Sequence, residues 1–296
     1  MISFATNGTA LFFKSGGQNL ITREQIIPEL GKKYPDYEFS LSEITKNGHV
    51  KMNAIAIKNS TRLSPQIYTD GILENAASLN DAVDKICHVI DNNLNPSIDI
   101  DLITSPDFIK THLRIGIQES SDELIVKRLV KEYPGIEQYL YYLGKADDGT
   151  SWSVKIRPDL FATLGIPETL AWELAFKHTH EAVSITSMYD LLREVYPTEL
   201  LFDLSETQDI EMYILTNKER LRGAASILDF DFLKSFAESK KCKSIAILPS
   251  SIHECILIPV REGTDTSGFN EMVRDVNTTE LAPEDVLVNR AYVLNF

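Results

Sequence analysis

Two apolar runs, "SIAILP" (244–249) and "ECILIPV" (254–260), stand only four residues apart, joined by "SSIH". A parallel crossover needs a dozen or more residues, so strands this close lie antiparallel. That spacing favours antiparallel pairing over a doubly wound parallel arrangement. It points to antiparallel or mixed sheets covered by helices, an α+β fold.

Two further hairpins are expected upstream. "YEFSLSEI" and "VKMNAIAI" alternate apolar and polar residues on either side of "TKNGH", whose Asn47-Gly48 pair is a strong turn signal. "IEQYLYYLGKADDGTSWSVKI" reads as a second hairpin turning at Asp148-Gly149. Helical spacing fills the intervals. "TREQIIPELGKKY" presents Ile26, Ile27 and Leu30, although Pro28 restricts where that helix begins. "SLNDAVDKICHVIDNNL" sets Leu79, Val83, Ile86, Val89 and Ile90 on one face behind a Ser78 N-cap. "HLRIGIQ" is expected as a strand and "SDELIVKRLVKEYPG" as a helix stopped at Pro134. The stretches "RPDLFATLGIPETLAWELAFKHTHEAVSI" and "SMYDLLREVY" are expected to be helical, with Pro167 at a first helical position. Thereafter come strand "MYILT", helix "KERLRGAASILD", helix "FDFLKSFAESKK", the paired strands of the opening, helix "FNEMVRDVN" and a terminal strand "AYVLN".

A chain of 296 residues can bury one large core or two smaller ones. The acidic connector "LFDLSETQDIE" marks the best boundary between two lobes. The expected organisation is an N-terminal extension over 1–19 containing the turn "SGGQN", an α+β lobe with two hairpins over 20–200, and a C-terminal α+β lobe over 201–296. Acidic residues outnumber basic ones 43 to 29, a formal charge of −14, which repels polyanions. Nucleic acid and anionic membrane are therefore not expected partners. The three cysteines, Cys87, Cys242 and Cys255, are too widely spaced for a metal knuckle and are expected reduced and mostly buried. The first residues lack a basic leader and a long apolar run, so a cytoplasmic location is expected.

The segment "LPSSIHECILIP" (248–259) gathers Ser250, Ser251, His253, Glu254 and Cys255, residue types used in nucleophilic catalysis. Were it extended, Ser251, His253 and Cys255 would share one face, with Ser250, Ile252 and Glu254 on the other. Glu254 could not then orient His253, and no G-x-S-x-G elbow is present. The segment is read as a hairpin connection in which the hydroxyls satisfy turn backbone groups and Cys255 is an inert buried thiol. His178 and His180 in "KHTHEA" stand about 200° apart on a helix, too far to clamp one metal, and no metal or cofactor is expected. "KADDGTS" and "DLSETQDIE" lack the order of a calcium loop, and no phosphate loop or dinucleotide fingerprint occurs. Asn217 is expected to cap the helix that follows it. Thr216, Asn217 and Lys218 would form a polar site with the 250s turn if the sheet order brings both strand ends together.

The run "YILTNKERLRGAASIL", then "LPSSIHECILIP", then "MVRDVNTTELAPEDVLVNRAY" closely resembles the C-terminal part of the domain of unknown function 5688 family of Firmicutes. The residues that carry the resemblance are Leu215, Thr216 and Asn217; Gly223, Ala224 and Ala225; Leu248 through Glu254; and Asn277, Thr279, Ala282, Pro283 and Glu284. "YLYYLGKADDGT" and "LGIPETLAWELA" extend it over roughly residue 20 to the end, more loosely in the N-terminal third. A fainter similarity to the UPF0354 group runs through "AASIL" and the strands after it. The resemblance implies a shared fold and carries no activity.

The expected function is a non-enzymatic binding or adaptor protein with a protein or small-molecule partner. Its candidate surface comprises Thr216, Asn217, Lys218, Ser250, Ser251, His253 and Glu254. The alternative is a hydrolase-like enzyme using Ser250 or Ser251 with His253 and a carboxylate from elsewhere in the fold.

Overall fold

The computed structural model describes residues 3–4, 21–58, 65–93, 100–145, 151–195 and 211–296. It is an α+β fold of three antiparallel sheets with helices against them. The turn at Asp148-Gly149, the connector over 201–210 and "SGGQN" lie outside the described residues.

After β1 (Ser3–Phe4) comes α1 (Arg23–Lys33), which opens with Gln25 Oε1 accepting the Thr22 N–H at 3.0 Å. The helix runs through Pro28 rather than starting there. β2 (Glu38–Lys46) and β3 (Val50–Lys58) form the first expected hairpin, and Asn47 and Gly48 take positive φ at its tip, as turn residues there can. β4 (Gln66–Tyr68) completes this sheet, α2 (Asp70–Glu74) follows, and α3 (Leu79–Asn93) covers it with Ser78 Oγ accepting the Asp81 N–H at 3.2 Å. Ile26, Leu30, Ile55, Ile57, Ile86 and Ile90 make its separate core.

α4 (Ile100–Ile103) and α5 (Pro106–His112) lead into the second sheet. Its strands are β5 (Leu113–Glu119), β6 (Lys127–Leu129), β7 (Ile136–Lys145) and β8 (Ser151–Lys155), with β1 beside β8. β5 runs along one side of β7, while β6 and β8 lie end to end along the other. α6 (Pro158–Thr163) and α7 (Glu168–Glu181) follow.

The third sheet has the order β13-β11-β12-β10-β9, built from β9 (Val183–Ser187), β10 (Tyr213–Asn217), β11 (Ser244–Pro249), β12 (Cys255–Val260) and β13 (Tyr292–Asn295). Interspersed are α8 (Met188–Val195), a 3-10 segment (Gly223–Leu228), α9 (Phe230–Ser239), α10 (Phe269–Thr279) and a second 3-10 turn (Pro283–Asp285).

Packing and strand pairing both run across the connector near residue 200. One core joins Ile115, Leu140, Trp152 and Trp172 to Leu215, Ile227, Leu257 and Tyr292, and β9 pairs with β10 across the connector. The first hairpin keeps its own small core, and beside the large core lie two smaller clusters, one around Ala246, Leu248, Ile258, Phe269 and Val273 and one around Ile125, Tyr139 and Tyr141.

Three local expectations are corrected. Residues 121–135 are not a helix: the free side of β7 takes residues 127–129 as β6, and Val126 closes the gap to β8 through its N–H to the Ile156 carbonyl at 2.8 Å. "VSITS" ends the helical stretch as strand β9, because β10 offers it five paired positions. "KERLRGAASILD" forms a tight loop and a 3-10 segment, with Arg220 and Arg222 at positive φ.

Candidate functional site

The pairing of β10 with β12 sets Leu215 opposite Cys255, so the end of β10 and the β11–β12 turn are neighbours. The sheet therefore supplies the juxtaposition on which the polar-site expectation depended. Thr216 is buried, and its Oγ1 donates to the His253 carbonyl at 2.8 Å. Ser226 Oγ donates to the Thr216 carbonyl at 3.0 Å and ties the 3-10 segment to the same strand. Gly223 fits where no side chain could: a Cβ there would lie 2.3 Å from Thr216 Oγ1 and 2.6 Å from both Asn217 N and the His253 carbonyl oxygen.

Asn217 does not cap a helix. Its Oδ1 accepts the Leu221 N–H at 3.1 Å and its Nδ2 donates to the Leu221 carbonyl at 2.7 Å, clamping the loop on both sides. Lys218 turns elsewhere, its Nζ donating to the Glu181 carbonyl at the end of α7 at 2.9 Å.

Strand alternation stops at the ladder pair Pro249 and Cys255, and residues 250–254 fold into a closed turn. Ser250 Oγ donates to the Glu254 carbonyl at 3.1 Å, and Ser251 N–H donates to the same oxygen at 3.2 Å. Ser251 Oγ is buried and accepts the His253 N–H at 3.0 Å. Ile252 donates to the Asp285 carbonyl at 2.8 Å and accepts from Ala224 N–H at 3.3 Å. Both hydroxyls serve the turn backbone.

The groups that meet the His253 ring, one backbone and one side chain, come from distant positions. Its Nδ1 accepts the backbone N–H of Arg222 at 3.1 Å, and its Nε2 stands 3.4 Å from Asp285 Oδ1. A backbone N–H can only donate, so Nδ1 holds the lone pair and the ring proton sits on Nε2, facing the carboxylate. A general base needs a lone pair turned toward the nucleophile's proton. Here that lone pair is committed to Arg222.

Cys255 is fully buried, and burial pushes its thiol well above the usual range, with Glu254 adding to the shift. It is not poised as a thiolate. Cys87 is also buried, whereas Cys242 is only half-buried. His178 and His180 diverge: His178 Nδ1 lies 3.0 Å from the Leu113 carbonyl, while His180 meets Asp229, whose other oxygen caps α9 at Phe232 N–H, 2.9 Å. Among the described residues no three of His, Cys, Asp and Glu are grouped to hold a metal. No described helix is long and apolar enough to cross a membrane.

Sequence reasoning missed Arg222 and Asp285, which border the quoted Gly223-Ala-Ala and Ala282-Pro283-Glu284 runs. Their position beside those runs was the available signal.

Fold and site together define an α+β protein in which the C-terminal sheet, a glycine-led 3-10 segment and an Ala-Pro-Glu-Asp turn lock one histidine into place. The model of the Family of unknown function (DUF5688) matches residues 22–295, and the chain belongs to that family. No curated protein and no solved structure matches it.

Proposed function

We propose that the chain is a non-enzymatic binding protein of the cytoplasm that recognises a partner through the rim formed by the 250–254 turn and the 217–218 loop. The observation that carries this reading is the internal commitment of His253. With Nδ1 holding Arg222 and Nε2 facing Asp285, the ring is a positioned surface element with no lone pair for a serine proton. Ser250 and Ser251, likewise spent on their own turn, shape the rim, with the Glu254 carboxylate within it and Lys218 at its border, its ammonium on the Glu181 carbonyl. A rim fixed before binding loses little freedom on association, which favours recognition.

The test uses the full-length chain as bait in its native host, beside Lys218→Glu and Glu254→Lys, both checked for wild-type circular dichroism. The expected result is a co-purifying molecule retained by the wild type and lost from both variants. Retention by both, or covalent labelling of Ser250 or Ser251 by a fluorophosphonate, overturns the reading; the second outcome would move the assignment to the hydrolase alternative.

A further inference from the structure

A second constellation, joined to the 250s rim through the Arg222 backbone, lies on the face of the β5–β7 sheet turned away from the main core. Arg114 and Tyr141 are direct cross-strand partners there, as are Gly116 and Tyr139. A Cβ at Gly116 would fall 2.4 Å from Tyr139 Cζ, so the glycine lets that ring lie across β5, the edge strand of its sheet. Arg222 meets it: Nη1 donates to the Tyr139 hydroxyl at 2.6 Å, and the guanidinium carbon stands 5.6 Å from the centre of the Tyr141 ring. Arg222 holds this position from a left-handed backbone conformation that few side chains adopt, at φ 53°.

The charges around these groups are unevenly matched. Lys127 is paired with Glu137 at 3.1 Å and Lys155 with Glu123 at 2.7 Å. Among the described residues neither Arg114 nor Arg222 has a carboxylate within 4.0 Å, and Arg114 bonds only the Leu113 carbonyl, at 2.9 Å. Both guanidinium groups act on the Tyr141 hydroxyl: burial raises its pKa above the usual tyrosine range, while Arg222 and then Arg114 oppose that rise. Glu219 is the carboxylate whose charge reaches the same hydroxyl, and Glu123 the one that reaches Arg222.

We propose that Arg222, Arg114 and the Tyr141 hydroxyl form a binding site for a phosphate group, free or carried by a small molecule. One guanidinium satisfies a planar carboxylate by a two-point fork. Two guanidinium groups from different elements, with a hydroxyl beside them, surround an oxyanion from several directions and suit a tetrahedral, doubly charged group better.

The test is phosphorus NMR and calorimetric titration of the full-length chain with inorganic phosphate and, separately, glycerol 3-phosphate, in chloride buffer. Saturable binding is expected with a Kd below about 1 mM, weakened at least about tenfold by Arg114→Gln and by Arg222→Lys, which keeps the charge but removes the fork. Tighter binding of the ester assigns a phosphorylated small molecule, and equal or tighter binding of inorganic phosphate assigns the free ion. Should Arg222→Lys fail to fold, Tyr141→Phe takes its place with the same expected loss. No saturable binding of either probe up to about 10 mM, or binding unchanged in any folded variant of the set, overturns the proposal.

Discussion

Gly223→Ala isolates the packing that holds the histidine turn. The added Cβ would stand 2.3 Å from Thr216 Oγ1 and 2.6 Å from Asn217 N and the His253 carbonyl oxygen. Two of those three atoms are backbone, one beside the β10–β12 ladder and the other in the turn, so no side-chain rotation relieves the clash. The 3-10 segment must shift off β10, and the Thr216 to His253 hydrogen bond opens with it. Overpacking of this kind costs about 1–3 kcal/mol, and an opened buried hydrogen bond about 1–3 kcal/mol more. Removing glycine's freedom from the unfolded chain returns about 0.4–1 kcal/mol. The net expectation is a loss of roughly 1–5 kcal/mol, centred near about 3, read as a fall in the urea midpoint of about 1 M with unchanged slope. Tryptophan fluorescence is the direct probe, because Trp152 and Trp172 both lie in the large core that includes Ala224 and Leu215. Gly31→Ala is the control: its Cβ meets nothing within 4 Å on α1, so far-UV circular dichroism should show a gain of up to about 1 kcal/mol. A Gly223→Ala protein within about 0.5 kcal/mol of wild type would refute the close-approach argument.

Three other outcomes follow from the geometry. Lys127→Met strips the cation from Glu137, whose side chain is 3% exposed, leaving it with the Gln118 and Ser121 donors; a loss of about 3 kcal/mol is expected, largely recovered by adding Glu137→Gln. A urea double-mutant cycle reads this, and a neutral Lys127→Met contradicts it. Under native conditions a thiol reagent should modify half-buried Cys242 first, while Cys255, buried with a raised pKa, reacts only as fast as the fold opens; equal rates by mass spectrometry would sink that assignment. The Glu211 carboxyl is held below its usual pKa by the Tyr213 hydroxyl and then by Arg261, so its contribution to stability is present above the unfolded carboxylate pKa and lost as pH falls through the lower folded one. Tyr213→Phe should move the Glu211 midpoint upward in an NMR titration, and an unmoved midpoint rejects the hydroxyl as the main cause.

The parts of the fold that read correctly from sequence are those in which local spacing and tertiary pairing agree. The Asn47-Gly48 tip, the Ser78 cap, and the separation of β11 from β12 each carry their structural consequence within a few residues. The misread segments are ones where a distant partner decides. Residues 127–129 have helix-forming neighbours, yet β8 begins only at Ser151 and covers β7 only beyond Tyr139, so the vacant edge of β7 draws them into a strand. "VSITS" is β-branched enough to form a strand, but only β10, some 26 residues on and past the connector, shows that it does. Composition marks the acidic connector, while one buried cluster holds residues from both sides of it.

The site shows the same division more sharply. Strand alternation does not extend into the five residues 250–254, a turn whose hydrogen bonds close it on itself, so alternation sets His253 and Glu254 on opposite faces and leaves the imidazole without a partner. The partner is Asp285, some 32 residues later, brought in because Ile252 N–H docks on the Asp285 carbonyl at 2.8 Å and sets that side chain beside the ring. Arg222 arrives by another route: Gly223 permits the 3-10 segment to touch His253, and that contact presents the preceding N–H to Nδ1. Neither relation has a local period, so neither can be read from spacing. What spacing does preserve is the small-residue requirement at Gly223 and the short Ala282-Pro283 lead into the second 3-10 turn. Those two features are the sequence's trace of a histidine held from both sides, and they explain why the recognisable segments of this family, far apart along the chain, meet at one residue.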